Sequence, residues 1–132
     1  MSSLAPKLVE AMGYHVWDKD YDPPKNATFP CYVLQGTCLV VYPKDFYYCR
    51  PFDPESSADD RELVIEWLNR RDVVVQIGWP PKLPAYISIQ LDFTSTRFPE
   101  FYDSCSHETL GTRFCELALK AIKTIKEREK TK

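Results

Sequence analysis

Tyr86-Ile-Ser-Ile-Gln-Leu-Asp-Phe-Thr94 alternates apolar and polar residues from end to end. Period two places Ile87, Ile89, Leu91 and Phe93 on one face of a strand and Ser88, Gln90 and Asp92 on the other. Upstream, the run from Val73 to Trp79 is rich in β-branched residues, and Trp79-Pro-Pro-Lys-Leu-Pro84 cannot continue it because proline offers no amide to a ladder. The two runs are therefore expected to fold back on each other as an antiparallel pair.

Helices are expected on either side of this pair. Ser56 and Ser57 precede Ala58-Asp-Asp60, and a hydroxyl followed by early carboxylates suits the unpaired amides and positive end of a helix N-terminus. The buried stripe would be Leu63, Val64, Trp67 and Leu68, and the helix would stop near Asp72. Downstream, Ser106 is the expected cap of a last helix whose Leu110, Phe114, Leu117, Ala118, Ala121, Ile122 and Ile125 recur at helical spacing. Gly111 interrupts that helix at a cost of about 1 kcal/mol relative to alanine, and close backbone contact is the expected compensation.

The first part of the chain is less periodic. Leu4, Leu8, Val9 and Met12 mark a short helix from Ser3 to about Gly13, with Ser2 or Ser3 as its cap. From about 14 to 56 the chain reads as an irregular, proline-rich insertion, yet it holds ten of the eighteen aromatics, which argues against disorder. Cys31–Leu34 and Thr37–Tyr42 are its expected short strands, joined by a tight hairpin at Gln35-Gly36. With 132 residues the chain is expected to form a single domain: α+β, either an α-β-α sandwich or a two-layer fold, with a small antiparallel sheet and three helices.

The order of these features resembles the phage ABA sandwich family of small bacteriophage and prophage proteins. Its carriers are Ala11-Met-Gly-Tyr14, Trp17, Phe52-Asp-Pro-Glu-Ser-Ser57 before a helix bearing Trp67, the Trp79 strand, and Glu108-Thr109 opening the last helix. The resemblance implies an α-β-α sandwich and a phage origin; it implies no enzymatic activity and transfers no functional residue.

Composition narrows the chemistry. A net charge of −2 with 27% charged residues argues against a generally nucleic-acid-coated surface. No apolar run approaches the twenty or so residues needed to span a bilayer, and Met1-Ser-Ser-Leu-Ala-Pro6 lacks the pattern of a secretory signal, so a cytoplasmic address is expected. Five cysteines, an odd number with no C-x-x-C pair, suit free thiols in a reducing compartment. Asn26-Ala-Thr28 matches a glycosylation sequon, which has no use at that address.

No metal or other cofactor is expected. Asp18-Lys-Asp20-Tyr-Asp22 begins like a calcium loop, but Pro23 stands where a glycine must turn and Phe29 where a bidentate glutamate is needed. Cys31, Cys38 and Cys49 lack zinc-ligand spacing, and His15 and His107 lie far apart. Cys105 and His107 form the short-range candidate for a cysteine-dependent enzyme, since a helix N-terminus can lower a thiol pKa. The lysines from Lys120 to Lys132 offer a phosphate-contacting surface for a nucleic-acid-binding module, but Glu127 and Glu129 dilute it and nucleic acid is not the expected partner.

The expected function is that of a non-enzymatic phage accessory protein. It would bind a host factor or a small host-derived ligand, such as a signalling nucleotide in counter-defence, as a homo-oligomer. Tyr47, Tyr48 and Trp79 are the stacking candidates, with Arg50 and Arg97 as phosphate contacts. Ser88, Gln90 and Asp92 form the candidate interface, because that face must meet water, a helix or another subunit.

Overall fold

A computed structural model describes residues 4–18, 23, 25–91 and 101–130. They form an α+β fold of three helices and two small sheets, one of four strands and one of three. The chain gathers into two compact units, Met1–Asp53 and Pro54–Lys132, described in turn.

In the first unit, helix α1 (Ala5–Ala11) precedes strands β1 (Val16–Asp18), β2 (Cys31–Gln35), β3 (Cys38–Tyr42) and β4 (Arg50–Pro51). Leu4 is the N-cap of this helix and makes no side-chain cap; Ser2 and Ser3, expected to cap it, lie outside the described residues. It ends in a Schellman turn: Gly13, at φ +89, donates to Glu10 O, and Tyr14 donates to Val9 O.

The stretch read as an irregular insertion thus holds an ordered sheet, in the order β1-β2-β3-β4. β1 runs parallel to β2, and the other neighbours are antiparallel. A hairpin joins β2 and β3 as expected, but its two-residue turn is Gly36-Thr37 rather than Gln35-Gly36, with Gln35 opposite Cys38 and Gly36, at φ +65, first in the turn. That is the sign of φ a type II′ turn needs at its first position. Consecutive buried residues Cys31, Tyr32 and Val33, like Leu39, Val40 and Val41, show that both faces of the central strands are covered. Aromatic rings do much of the covering: Trp17, Phe29 and Tyr42 pack on Cys31, Val33 and Val40, while Tyr32 on the other face meets Tyr14 and Phe52.

The second unit comprises α2 (Ala58–Asn69), β5 (Val74–Gly78), β6 (Ala85–Gln90), β7 (Phe101–Cys105) and α3 (Leu110–Lys130). Ser57 caps α2 by accepting from Asp60 N at 3.4 Å, and Asp60 itself is 1% exposed. Arg71, Asp72 and Val73 close the helix in a second Schellman turn, with Val73 N donating to Leu68 O and Asp72 N to Asn69 O. Asp72 occupies the left-handed position at φ +62, where glycine is usual.

The sheet order is β5-β6-β7, antiparallel throughout. Ala85, Ile87 and Ile89 are fully buried, as the alternation predicts, and α3 packs on β6 and β7 while α2 packs on β5 and on α3. Because the two helices touch, they share this face, and the unit has two layers. The strand read through Thr94 ends at Gln90; Asp92, Phe93 and Thr94 lie outside the described residues. A stretch read as irregular supplies β7, whose Asp103 and Ser104 masked its strand character.

One approach locks the helices to the turn before them. A Cβ on Gly111 would collide with the carbonyl of Glu55, and Arg61 donates to Pro54 O at 3.0 Å and Glu55 O at 3.4 Å. Thr112 adds a bond to Glu55 Oε2 at 3.2 Å.

Two substitutions of opposite sign check this account by urea or thermal unfolding. Gly111→Ala is expected to destabilise by about 1–2 kcal/mol, the cost of overpacking less the gain in helix propensity. Asp72→Gly is expected to stabilise by up to about 1 kcal/mol, since the left-handed conformation strains a side chain but not glycine.

Candidate functional site

In the first unit, the segments leading into the parallel strands β1 and β2 enclose a surface cleft of about 310 Å³. One wall is Gly13, Tyr14, His15 and Trp17, and the other runs from Asn26 to Thr28 and through Pro30 to Cys31. The parallel pairing of Val16 with Tyr32 and Trp17 with Val33 holds the walls side by side. His15 and Trp17 meet edge to face at 4.5 Å between centroids, so each ring fixes the other. Asn26 supplies an amide and Thr28 a hydroxyl, and both are exposed. A second cavity, about 110 Å³ beside Ala5, Leu39 and Phe52, is well below the size of ordinary ligand sites.

The turn between β3 and β4 stands close to this cleft in connectivity. Phe29, between the lining residues Thr28 and Pro30, packs its ring on Phe46 at 4.9 Å, and Phe46 also meets Tyr42 at 5.4 Å. Tyr47 N donates to Asp45 Oδ1 at 2.9 Å, which shapes the turn locally. The result is a loop anchored by Phe46 that presents Tyr47, 99% exposed, and Tyr48, 59% exposed.

The residues named from sequence divide between the units. Tyr47, Tyr48 and Arg50 lie within one loop and its following strand in the first unit. Trp79, just after β5, is 53% exposed in the second unit. Ser88 and Gln90 are half-buried on the face of β6 opposite the helices, beside Gln76 and Tyr102. Arg97 and Asp92 lie outside the described residues. Tyr14, His15, Trp17, Asn26 and Thr28 were missed as site residues; the density of aromatics near two breaks in periodicity was the available signal.

All five cysteines are free. Cys105 is buried, and burial first, then the charge of Asp103, push its thiol pKa up against a smaller opposing effect of Arg113. The thiol pKa is thus raised where a lowered one was expected, because Cys105 is buried and lies near Asp103 rather than open to solvent at the helix N-terminus. His107 is exposed, with Nε2 3.3 Å from Leu83 O. Burial likewise raises the Cys31 thiol. Tyr42 is raised chiefly by its hydrogen bond with Cys49. Among the described residues no three His, Cys, Asp or Glu side chains could hold a metal ion, and Asp20 and Asp22 lie outside them. No helix among those residues is long and apolar enough to cross a membrane.

Comparison with protein-family models, with curated proteins and with solved structures gives no match.

Thiol labelling tests the electrostatics. Iodoacetamide at neutral pH is expected to modify exposed Cys38 and Cys49 first, with buried Cys31, Cys105 and Cys115 lagging at least about tenfold. Because a raised pKa leaves less thiolate at any given pH, labelling of Cys105 should still be rising above the pH at which an ordinary thiol is fully ionised; peptide mass spectrometry of a pH series reads it.

Proposed function

We propose that this is a non-enzymatic binding protein that takes a small planar ligand of the nucleotide class in the cleft between Tyr14–Trp17 and Asn26–Cys31. The observation that carries this reading is a cleft of about 310 Å³ with aromatic rings on one wall and an amide and hydroxyl on the other. That volume is at the lower end of ligand sites and suits one base and its sugar. Trp17, His15 and Tyr14 offer ring surface for a base, while Asn26 and Thr28 offer donors and acceptors for its edge.

The resemblance to phage accessory proteins supplies the setting. In it the protein works in the host cytoplasm, as a homo-oligomer, on a host-derived ligand such as a signalling nucleotide. A host protein as partner is favoured by a separate observation, the near-complete exposure of Tyr47 on an anchored loop. Tyrosine is prominent among residues that dominate protein interfaces.

Calorimetry with mononucleotides and cyclic dinucleotides, alongside native mass spectrometry of fresh lysate, tests both arms. One nucleotide per chain is expected, with quenching of Trp17 fluorescence. His15→Ala or Asn26→Ala should weaken binding about 5- to 100-fold, the range of one lost stacking or polar contact, with unfolding temperature little changed. Absence of heat, quenching and any retained small molecule would remove the nucleotide reading. Capture of a host protein that is lost on Tyr47→Ala would then support the loop.

A further inference from the structure

We infer that β5 is a dimerisation edge, pairing antiparallel with β5 of a second copy about a two-fold axis at Gln76 to make one continuous six-stranded sheet. This gives an interface to the self-association in the reading above and rests on that part of it alone, not on its ligand.

Four strands lie at sheet edges, and three of them carry features that discourage pairing. β1 has three residues and ends in Asp18; β4 has two, one of them Pro51. β7 points Asp103 to the helix-covered face, where Arg113 meets it at 3.7 Å, and an inward charge is a known guard against strand addition. β5 has no such feature. Its five residues, Val74-Val-Gln-Ile-Gly78, include no charge and no proline, and among the described residues its main packing is with β6 and α2. Val75 and Ile77, on the helix side, remain only half-buried.

The pairing register is fixed by two requirements. Period two demands that helix-side residues meet helix-side residues, and full overlap of a five-residue strand then centres the pair on Gln76. Val75 falls opposite Ile77 of the other copy, a β-branched pair made twice, and burial of both completes their cover. Gln76 meets its own counterpart, where two amides can each donate and accept. Val74 falls opposite Gly78, over which the ring of Tyr86 already lies so closely that no Cβ would fit. A bare glycine on an edge strand would waste that position; covered by Tyr86 it offers an apolar surface to the incoming valine.

Light scattering and native mass spectrometry from about 1 µM to about 100 µM provide the test. The wild-type chain should form a species of twice its 15.4 kDa mass. Gln76 is exposed, so Gln76→Lys and Gln76→Glu should fold with unchanged circular dichroism. Each alone should raise the dimer dissociation constant at least about tenfold by placing like charges across the axis, and an equimolar mixture should restore a heterodimer. A wild-type monomer at the highest concentration overturns the proposal, as it would if a strand from another protein used this edge. So does a wild-type dimer that both variants retain unchanged. Nucleotide binding without dimerisation would leave the cleft reading standing and remove this one; a dimer without nucleotide binding would do the reverse.

Discussion

The backbone of α3 at Gly111 comes so close to the carbonyl of Glu55 that hydrogen is the largest side chain the site admits. That approach sets the order of the second unit. It brings the first turn of α3 against the turn that introduces α2, and the Arg61 guanidinium bonds the carbonyls of Pro54 and Glu55 from the α2 side. With the helices held at their starts, their apolar stripes converge on one face of the sheet. Ala85, Ile87 and Ile89 are buried there at the cost of one helix-disfavouring residue.

Burying one face and opening the other divides core-building from solvent-facing positions along β6. On β6, odd-numbered residues from Ala85 to Ile89 build the core, while Tyr86, Ser88 and Gln90 stand half-buried on the far side. Tyr86 and Tyr102 stack there at 18° between planes, and Tyr102 keeps 60% of its surface exposed. The face therefore gains its shape from cross-strand pairs rather than from an overlying helix. Asp103, alone among charges in β7, lies on the opposite side and is met by Arg113, which keeps that edge solvated.

Where local periodicity and tertiary packing agreed, the sequence was legible. The alternation of β6 and the stripe of α3 named their buried residues because each has a single apolar face. Gly111 was legible as a site of close contact because glycine inside a strong helix asks for a reason. β7 was not, since an aspartate and two serine-class hydroxyl and thiol residues dilute its β-propensity and only its neighbours make it a strand. The burial of Asp60 was hidden for a related reason: the first turn of a helix favours a carboxylate whether or not the fold covers it. The cleft was hidden more deeply, because its walls come from segments about a dozen residues apart that only the parallel pairing of β1 and β2 brings together.

Composition nevertheless accounts for why a cleft forms where it does. The first unit covers both faces of its central strands with little helix, α1 being seven residues long, so rings must supply the area that helices supply in the second unit. Flat rings meet at edges and tilts, as Tyr14 on Tyr32, His15 on Trp17 and Phe29 on Phe46 do here, and such contacts fill space less uniformly than branched aliphatic side chains. Prolines add fixed bends that side chains cannot relax. A gap between the His15–Trp17 pair and the Asn26–Pro30 segment is the consequence, bounded by ring surface on one side and by Asn26, Ala27, Thr28 and Pro30 on the other. The same shortage of helix that makes the first unit look irregular in sequence is thus what leaves a cleft beside its aromatic rings.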